Sequence, residues 1–359
     1  MSAAFRLAQP DDGEAICRLF RDTPQRGRVV LNFEREPCYF RGSRVICDKP
    51  ETWVAGDARE PVKMLFGIGQ RMAWINGQQR SVRYAHDLRL APAARGGRMV
   101  LRLVRHVGTL LTEQDIVQTV ILNENTESLN SVASGRPGMP DYYPCGDIET
   151  SLLFAAPRRR SAVTVRQAGH DDVAQMQALH DRLAARRQFY PCYDFARMLC
   201  GDDYYHGQHI ADYLLAFQGT RLVGMLGLWD QKGFKQTRVL RYPAGLSWVR
   251  FFWNAWSYLF GGVRLPAAGG LVPYLVAHSL LAEDDDAAIM DALLSCAVRQ
   301  RGRQYGAISV GFFRHDPLAQ VVQRYRRQVM HSRHFLVGYF NDPRQQLDAR
   351  PPYIEIARL

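Results

Sequence analysis

Lysine is almost missing from this chain. Lys49, Lys63, Lys232 and Lys235 are the only four, so 46 basic residues less these leave 42 arginines. Seven cysteines, at 17, 38, 47, 145, 192, 200 and 296, form no CxxC pair and are odd in number. That pattern suits reduced thiols rather than a disulfide framework or a thiolate zinc site. No apolar run reaches the roughly 18 residues that a membrane span needs. The opening MSAAFRLAQPDDGE has no basic region followed by an apolar core, so no secretory signal is expected. A cytoplasmic protein without membrane attachment is the expectation. A chain with 47% hydrophobic and 23% charged residues is too apolar to be disordered.

What is present begins with charge. The 359 residues carry +11, or +5 up to residue 160 and +6 after it. The densest runs, Arg158-Arg159-Arg160 and Arg324-Tyr325-Arg326-Arg327, are short and there is no basic arm. A solvated arginine-rich surface explains this better than nucleic-acid binding. The length suits two domains.

An internal repeat supports two. FRLAQPDDGEAICRLF at 5–20 and VRQAGHDDVAQMQALH at 165–180 share Arg6/Arg166, Ala8/Ala168, Asp11/Asp171, Asp12/Asp172 and Leu19/Leu179. Each reads as a short strand, an Asp-capped turn and an amphipathic helix. Val62-Lys63-Met64-Leu65 and Val223-Gly224-Met225-Leu226 match at nearly the same offset. The expected organisation is one unit over 1–156, a linker at 157–162 and a second unit over 163–359. Both are α/β with a mixed sheet.

In the first unit, extended runs at 61–75 and 79–90 flank Asn76-Gly77, a strong two-residue hairpin signal. The second run passes Leu88, Arg89 and Leu90 into Pro92-Ala93-Ala94-Arg95-Gly96-Gly97-Arg98, and a helix opens at Met99. A strand that ends in glycines and arginines at a helix N-terminus suits a pyrophosphate. A strand at 116–122 and Asn123-Glu124-Asn125 before a short helix follow.

Together these features resemble the GNAT acyltransferase superfamily, closely over residues 5–154 and weakly over 163–359. The resemblance implies two GNAT-like units in tandem. It also implies acetyl-CoA or another acyl-CoA as co-substrate, and acyl transfer to a small-molecule or peptide amine. No metal is implied, and a homodimer is compatible with it. The family loop commonly reads Arg/Gln-x-x-Gly-x-Gly/Ala; here Arg98 and Val100 stand where small residues are expected. The resemblance assigns CoA binding to Leu88, Arg89, Leu90, Arg95, Gly96, Gly97, Arg98, Met99 and Asn125, with Asn123 an alternative to Asn125. A main-chain amide at Leu88 or Leu90 would polarise the thioester carbonyl.

Proton-transfer groups are less marked. The position of the family's helix tyrosine holds Ser131 or Val132; Tyr142 and Tyr143 serve only if the loop folds back. His86 suits a base, and strand alternation puts it and Asp87 on opposite faces. Glu34 and Glu36 are weaker candidates. A catalytically silent acyl-CoA-binding or scaffold protein is the alternative reading. In the second unit Glu283-Asp284-Asp285-Asp286 stands where CoA phosphates would bind, so that half should be degenerate. It also carries about 30 extra residues, since Val223 to Leu281 is 58 positions and Val62 to Leu90 is 28. This insert, near 238–264, has Trp248, Phe252 and Trp256 on one helix face. Such a dense aromatic stripe is expected to be helical and mostly buried.

Overall fold

A computed structural model of the chain describes residues 5–25, 29–56, 61–96, 98–133, 135–155, 163–243, 245–260 and 265–359. The linker expected at 157–162 and Gly97 of the loop lie outside the described residues.

The first half runs β1 (Phe5–Leu7), α1 (Gly13–Asp22), β2 (Val30–Glu34), α2 (Tyr39–Ile46), β3 (Thr52–Ala55), β4 (Met64–Ile75), β5 (Gln78–Leu90), α3 (Met99–Gly108), β6 (Val117–Leu122), α4 (Thr126–Val132) and β7 (Asp141–Ala155). The second runs β8 (Thr164–Gln167), α5 (Val173–Ala184), β9 (Tyr190–Pro191), α6 (Phe195–Leu199), β10 (Tyr213–Gln218) and β11 (Arg221–Trp229). It continues through β12 (Gln236–Arg241), α7 (Leu246–Phe260), β13 (Leu275–Ala282), α8 (Ala287–Tyr305), β14 (Ile308–Phe313), α9 (Ala319–Val322) and β15 (Arg326–Gly338).

The repeated residues explain the repeated βα openings. Arg6 grips Asp12 through two hydrogen bonds of 2.7 Å, and Asp12 also accepts from the Gln9 amide. Arg166 grips Asp172 at 2.6 and 2.7 Å, and Asp172 accepts from the Gly169 amide. The shared arginine and aspartate therefore lock strand to helix, rather than capping the helix alone. The expected hairpin closes on Asn76 and Gly77, at φ +53° and +77°, pairing Ile75 with Gln78.

The main sheet has the order β1-β3-β4-β5-β6-β15-β7-β14-β13-β11-β10-β8, with β9 added beside β4. Set β8, β10, β11, β13, β14 and β15 against β1, β3, β4, β5, β6 and β7, and the order is symmetric about its centre. The last strands are exchanged: β15 lies beside β6 of the first half, and β7 beside β14 of the second. They pair with each other from Arg326/Ala155 to Gly338/Asp141. Parallel β5 and β6 pair only at Arg83/Val117 and Tyr84/Gln118 before they diverge. Parallel β13 and β14 do the same at Leu275/Ile308 and Val276/Ser309. Each half thus has a wedge in its sheet.

The insert contradicts its expected burial. It is helical as α7, but Val249, Phe251, Phe252, Trp253 and Trp256 are exposed. Of its side chains, Ser257 is buried and Asn254 is held to the Leu265 backbone. Aromatic density alone does not distinguish a core stripe from an outward one.

Candidate active site

The wedge between β5 and β6 opens into a cleft of about 320 Å³. One wall is the inner face of α3, with Val100, Leu103, Val104 and Val107. The other carries Phe33, Arg35, Gln231, Lys235 and Tyr274. The second half and the β2–α2 segment thus complete a site whose strands belong to the first.

His86, Asp87, Leu88 and Arg89 line this cleft. The expectation that His86 and Asp87 face opposite ways is overturned. Asp87 has φ +51°, and the β4–β5 register slips between Leu65 and Gly67. This bulge breaks the period-two alternation. His86 Nδ1 consequently meets Asp87 Oδ2 at 3.0 Å. Arg35 donates to Asp87 Oδ1 at 3.2 Å, and both side chains are buried. Burial alone would raise the Asp87 pKa, but Arg35, His86 and Arg89 together hold it well below the usual carboxylate range. Asp87 is an anion at every physiological pH. With Nδ1–H committed to it, the neutral imidazole keeps its lone pair on Nε2, which is shielded and has no hydrogen-bond partner among the described residues.

Leu90 ends β5 beside Met64. Arg95 is exposed and donates to Glu127 of α4 at 3.2 Å, which brings the α3 and α4 N-termini together. Gly96 adopts φ +77° and has open space where a β-carbon would project. Arg98 occupies the N-cap position of α3, and Met99 is that helix's first residue. Asn125 caps α4 by accepting from the Ser128 amide at 3.1 Å, and both residues reach the cleft. Ser131 points back to its own helix, donating to the Ser128 carbonyl at 3.2 Å, and it is not a lining residue. Tyr142 does line the cleft, within an apolar group that includes Leu88 and Val100 around Ile121 and Phe335. Tyr143 instead points its hydroxyl toward Asp141. Glu34 is bound to Arg238 at 2.9 Å through both carboxylate oxygens, and Glu36 to Arg21 at 2.5 Å.

Two functional candidates carried no sequence signal. Arg35 sat between the two glutamates under consideration, and its partner is 52 residues away. Lys235 comes from the other half of the chain. Burial, aided by the Arg35 charge, pushes the Lys235 ammonium down to about 7, against the pull of Asp87 and Glu355. Its Nζ donates to the Leu359 carbonyl at 2.6 Å.

The second wedge differs. His278 and Ser279 of β13 repeat the bulge, with Ser279 at φ +52°. Here the chain's own residues 353–358 fill the opening. Glu355 Oε2 accepts from the Ser279 amide at 2.9 Å, and Ile356 packs so closely on Gly311 of β14 that a β-carbon there would lie 2.3 Å away. The acidic turn before α8 is neutralised internally, Glu283 by Arg182 and Arg221 and Asp285 by Arg187.

No family model and no curated protein matches the sequence. Solved structures do match the fold. A GCN5-related glucosamine N-acetyltransferase region of a fungal multi-domain β-N-acetylglucosaminidase aligns with TM-score 0.62 at 10% identity, covering 94% of this chain and 38% of that one. A GCN5-related N-acetyltransferase from Sphaerobacter thermophilus aligns with TM-score 0.53 at 12% identity, over 94% and 97% of the two chains. Saccharomyces cerevisiae N-myristoyltransferase with bound myristoyl-CoA aligns with TM-score 0.60 at 8% identity, over 96% and 81%. At such identities the likeness shows the fold alone. This chain has the GNAT fold, present twice in tandem.

Proposed function

We propose that the first half is an acyl-CoA-dependent N-acyltransferase site and that the second half supports it without binding CoA. The observation that carries this reading is the contrast between two equivalent wedges. One is open and lined by the Arg35–Asp87–His86 chain; the other is filled by residues 353–358.

In this reading the CoA pyrophosphate lies at the N-terminus of α3, met by free backbone N–H groups and by Arg95 and Arg98. The pantetheine arm follows the diverging edge of β5, and the main-chain N–H of Leu88 or Leu90 polarises the thioester carbonyl. An amine reaches it from the wall of Arg35 and Lys235. His86, whose Nε2 is shielded against Gly67, takes a proton from the ammonium through water, while Asp87 fixes its tautomer and steadies the imidazolium. The amine nitrogen attacks the carbonyl carbon, the C–S bond breaks, and the thiolate takes a proton. It is the proton that the nitrogen sheds as the amide forms, passed directly or through water; burial raises the Tyr142 pKa and makes that hydroxyl a poor donor to a thiolate. Holding amine and thioester together provides much of the rate.

The test combines CoA titration by calorimetry with thiol release from acyl-CoA and a panel of amines. Saturable binding, with amine-dependent thiol release lost in His86→Gln, supports the reading. Binding with no turnover for any amine would assign the chain to the silent acyl-CoA-binding class instead.

A further inference from the structure

A water-facing helix normally turns its polar residues outward. In α7 the arrangement is inverted. Asn254 and Ser257 face the body, the first holding the Leu265 amide and carbonyl at 2.8 and 2.9 Å. Val249, Phe252, Trp253 and Trp256, spaced i, i+3, i+4 and i+7, form an outward stripe, with Phe251 beyond it. Phe251 and Phe252 are 76% and 73% exposed. A contiguous patch of this kind on a protein surface marks a binding face.

Charge identifies the occupant. From residue 231 to 282 there is no aspartate or glutamate, and Arg241, a few residues before the helix, is exposed, while Lys235 and Arg238 are held in the cleft and on Glu34. Arg326 of β15 stacks its guanidinium 4.6 Å from the Trp256 ring. Two copies meeting through this face would bring like charges together. An anionic bilayer would draw the arginines to its phosphates and take the aromatic rings at the headgroup level, which tryptophan favours. Fifteen residues make a helix of only about 22 Å, too short to span but long enough to lie flat.

We propose that α7 is an interfacial anchor that docks the protein on anionic lipid bilayers. The connection to the cleft is short. The chain enters α7 from β12, and β12 pairs with β2 from Gln236/Glu34 to Arg241/Val30. Phe33 of β2 and the adjacent Arg35 line the cleft. Docking thus sets the amine-side wall of the cleft close to the headgroups.

The experiment is flotation of the full chain with vesicles of phosphatidylcholine alone or mixed with phosphatidylglycerol, at about 0.1 M salt, where the Debye length is about 10 Å. The protein should float with the mixed vesicles and much less with the neutral ones. Phe251→Ser with Phe252→Ser should weaken binding by roughly tenfold or more, with circular dichroism and melting unchanged because both rings are exposed. Arg241→Glu with Arg326→Glu should remove the preference for anionic lipid. No flotation with mixed vesicles, or flotation unaffected by either double variant, overturns the proposal. A dimer in sedimentation velocity that the phenylalanine variant dissociates, without lipid binding, would give the face to a second copy and equally overturn it.

Discussion

The His86 imidazole packs directly on the α-carbon of Gly67: a β-carbon on Gly67 would lie 2.4 Å from His86 Cε1. Gly227 and His278 repeat the contact, also at 2.4 Å. Each glycine leaves room for the ring on the bulged strand opposite. Gly67→Ala should therefore displace His86 from Asp87 and lower kcat by about a hundredfold, with CoA affinity little changed. Gly227→Ala should instead lower stability by about 1–3 kcal/mol and leave the turnover of folded protein near wild type. Steady-state thiol release and urea unfolding separate the two outcomes.

Arg35 and Asp87 form a buried pair. Asp87→Asn keeps the shape but leaves the Arg35 charge uncompensated, which should cost about 3–5 kcal/mol in urea unfolding. Adding Arg35→Met should restore part of that stability. Activity should stay low in both variants, because Asp87 orients His86. Recovery of turnover in the double variant would show that Asp87 acts only as the partner of Arg35.

Stoichiometry distinguishes the halves. Calorimetry should find one CoA per chain, and Arg95→Glu with Arg98→Glu should weaken it by roughly a hundredfold, as expected for two charge-assisted phosphate contacts. Asp284→Asn with Asp285→Asn should create no second site, because Glu355 and Ile356 still occupy the wedge. Two equivalents in the wild type would contradict the assignment.

Two buried histidines set an acid sensitivity. Burial first, then the charges of Arg358 and Arg71, pushes His278 and His334 from 6.5 down to about 3. Between these values the unfolded chain binds protons that the fold refuses. Stability from this source is complete above about pH 6.5 and is lost progressively as pH falls toward 3. His334 lies among rings, 5.3 Å from Phe189 and 5.8 Å from Phe313. His334→Phe should thus flatten the fall in urea midpoint between about pH 7 and pH 4; an unchanged slope would place the sensitivity elsewhere.

Much of this was legible in the residues themselves. Arg6 with Asp12 and Arg166 with Asp172 repeat because the same junction is built twice, and Asn76-Gly77 needs positive φ wherever it occurs. The junction from Leu88 to Met99 is a local pattern, so its place in the fold was readable too. The relation of His86 to Asp87 was not, because one residue at φ +51° cancels the alternation on which the reading depended. Arg35 and Lys235 hold their places in the cleft through partners 52 and 124 residues away. The exposure of α7 was hidden for a different reason. Its apolar stripe has the spacing of a core helix, and only the inward turn of Asn254 and Ser257 reveals which side meets the body.

The exchange of β7 and β15 changes what it means to cut this protein. Each half on its own would present an unfinished sheet edge, a template for aggregation. A chain nicked between the halves would keep the long ladder from Arg326/Ala155 to Gly338/Asp141 and would behave as a two-piece complex. Covalent continuity there serves mainly to hold the pieces at high effective concentration. In that sense the molecule is an obligate dimer written as one polypeptide, with one partner's wedge filled by its own chain while it completes the cleft of its neighbour.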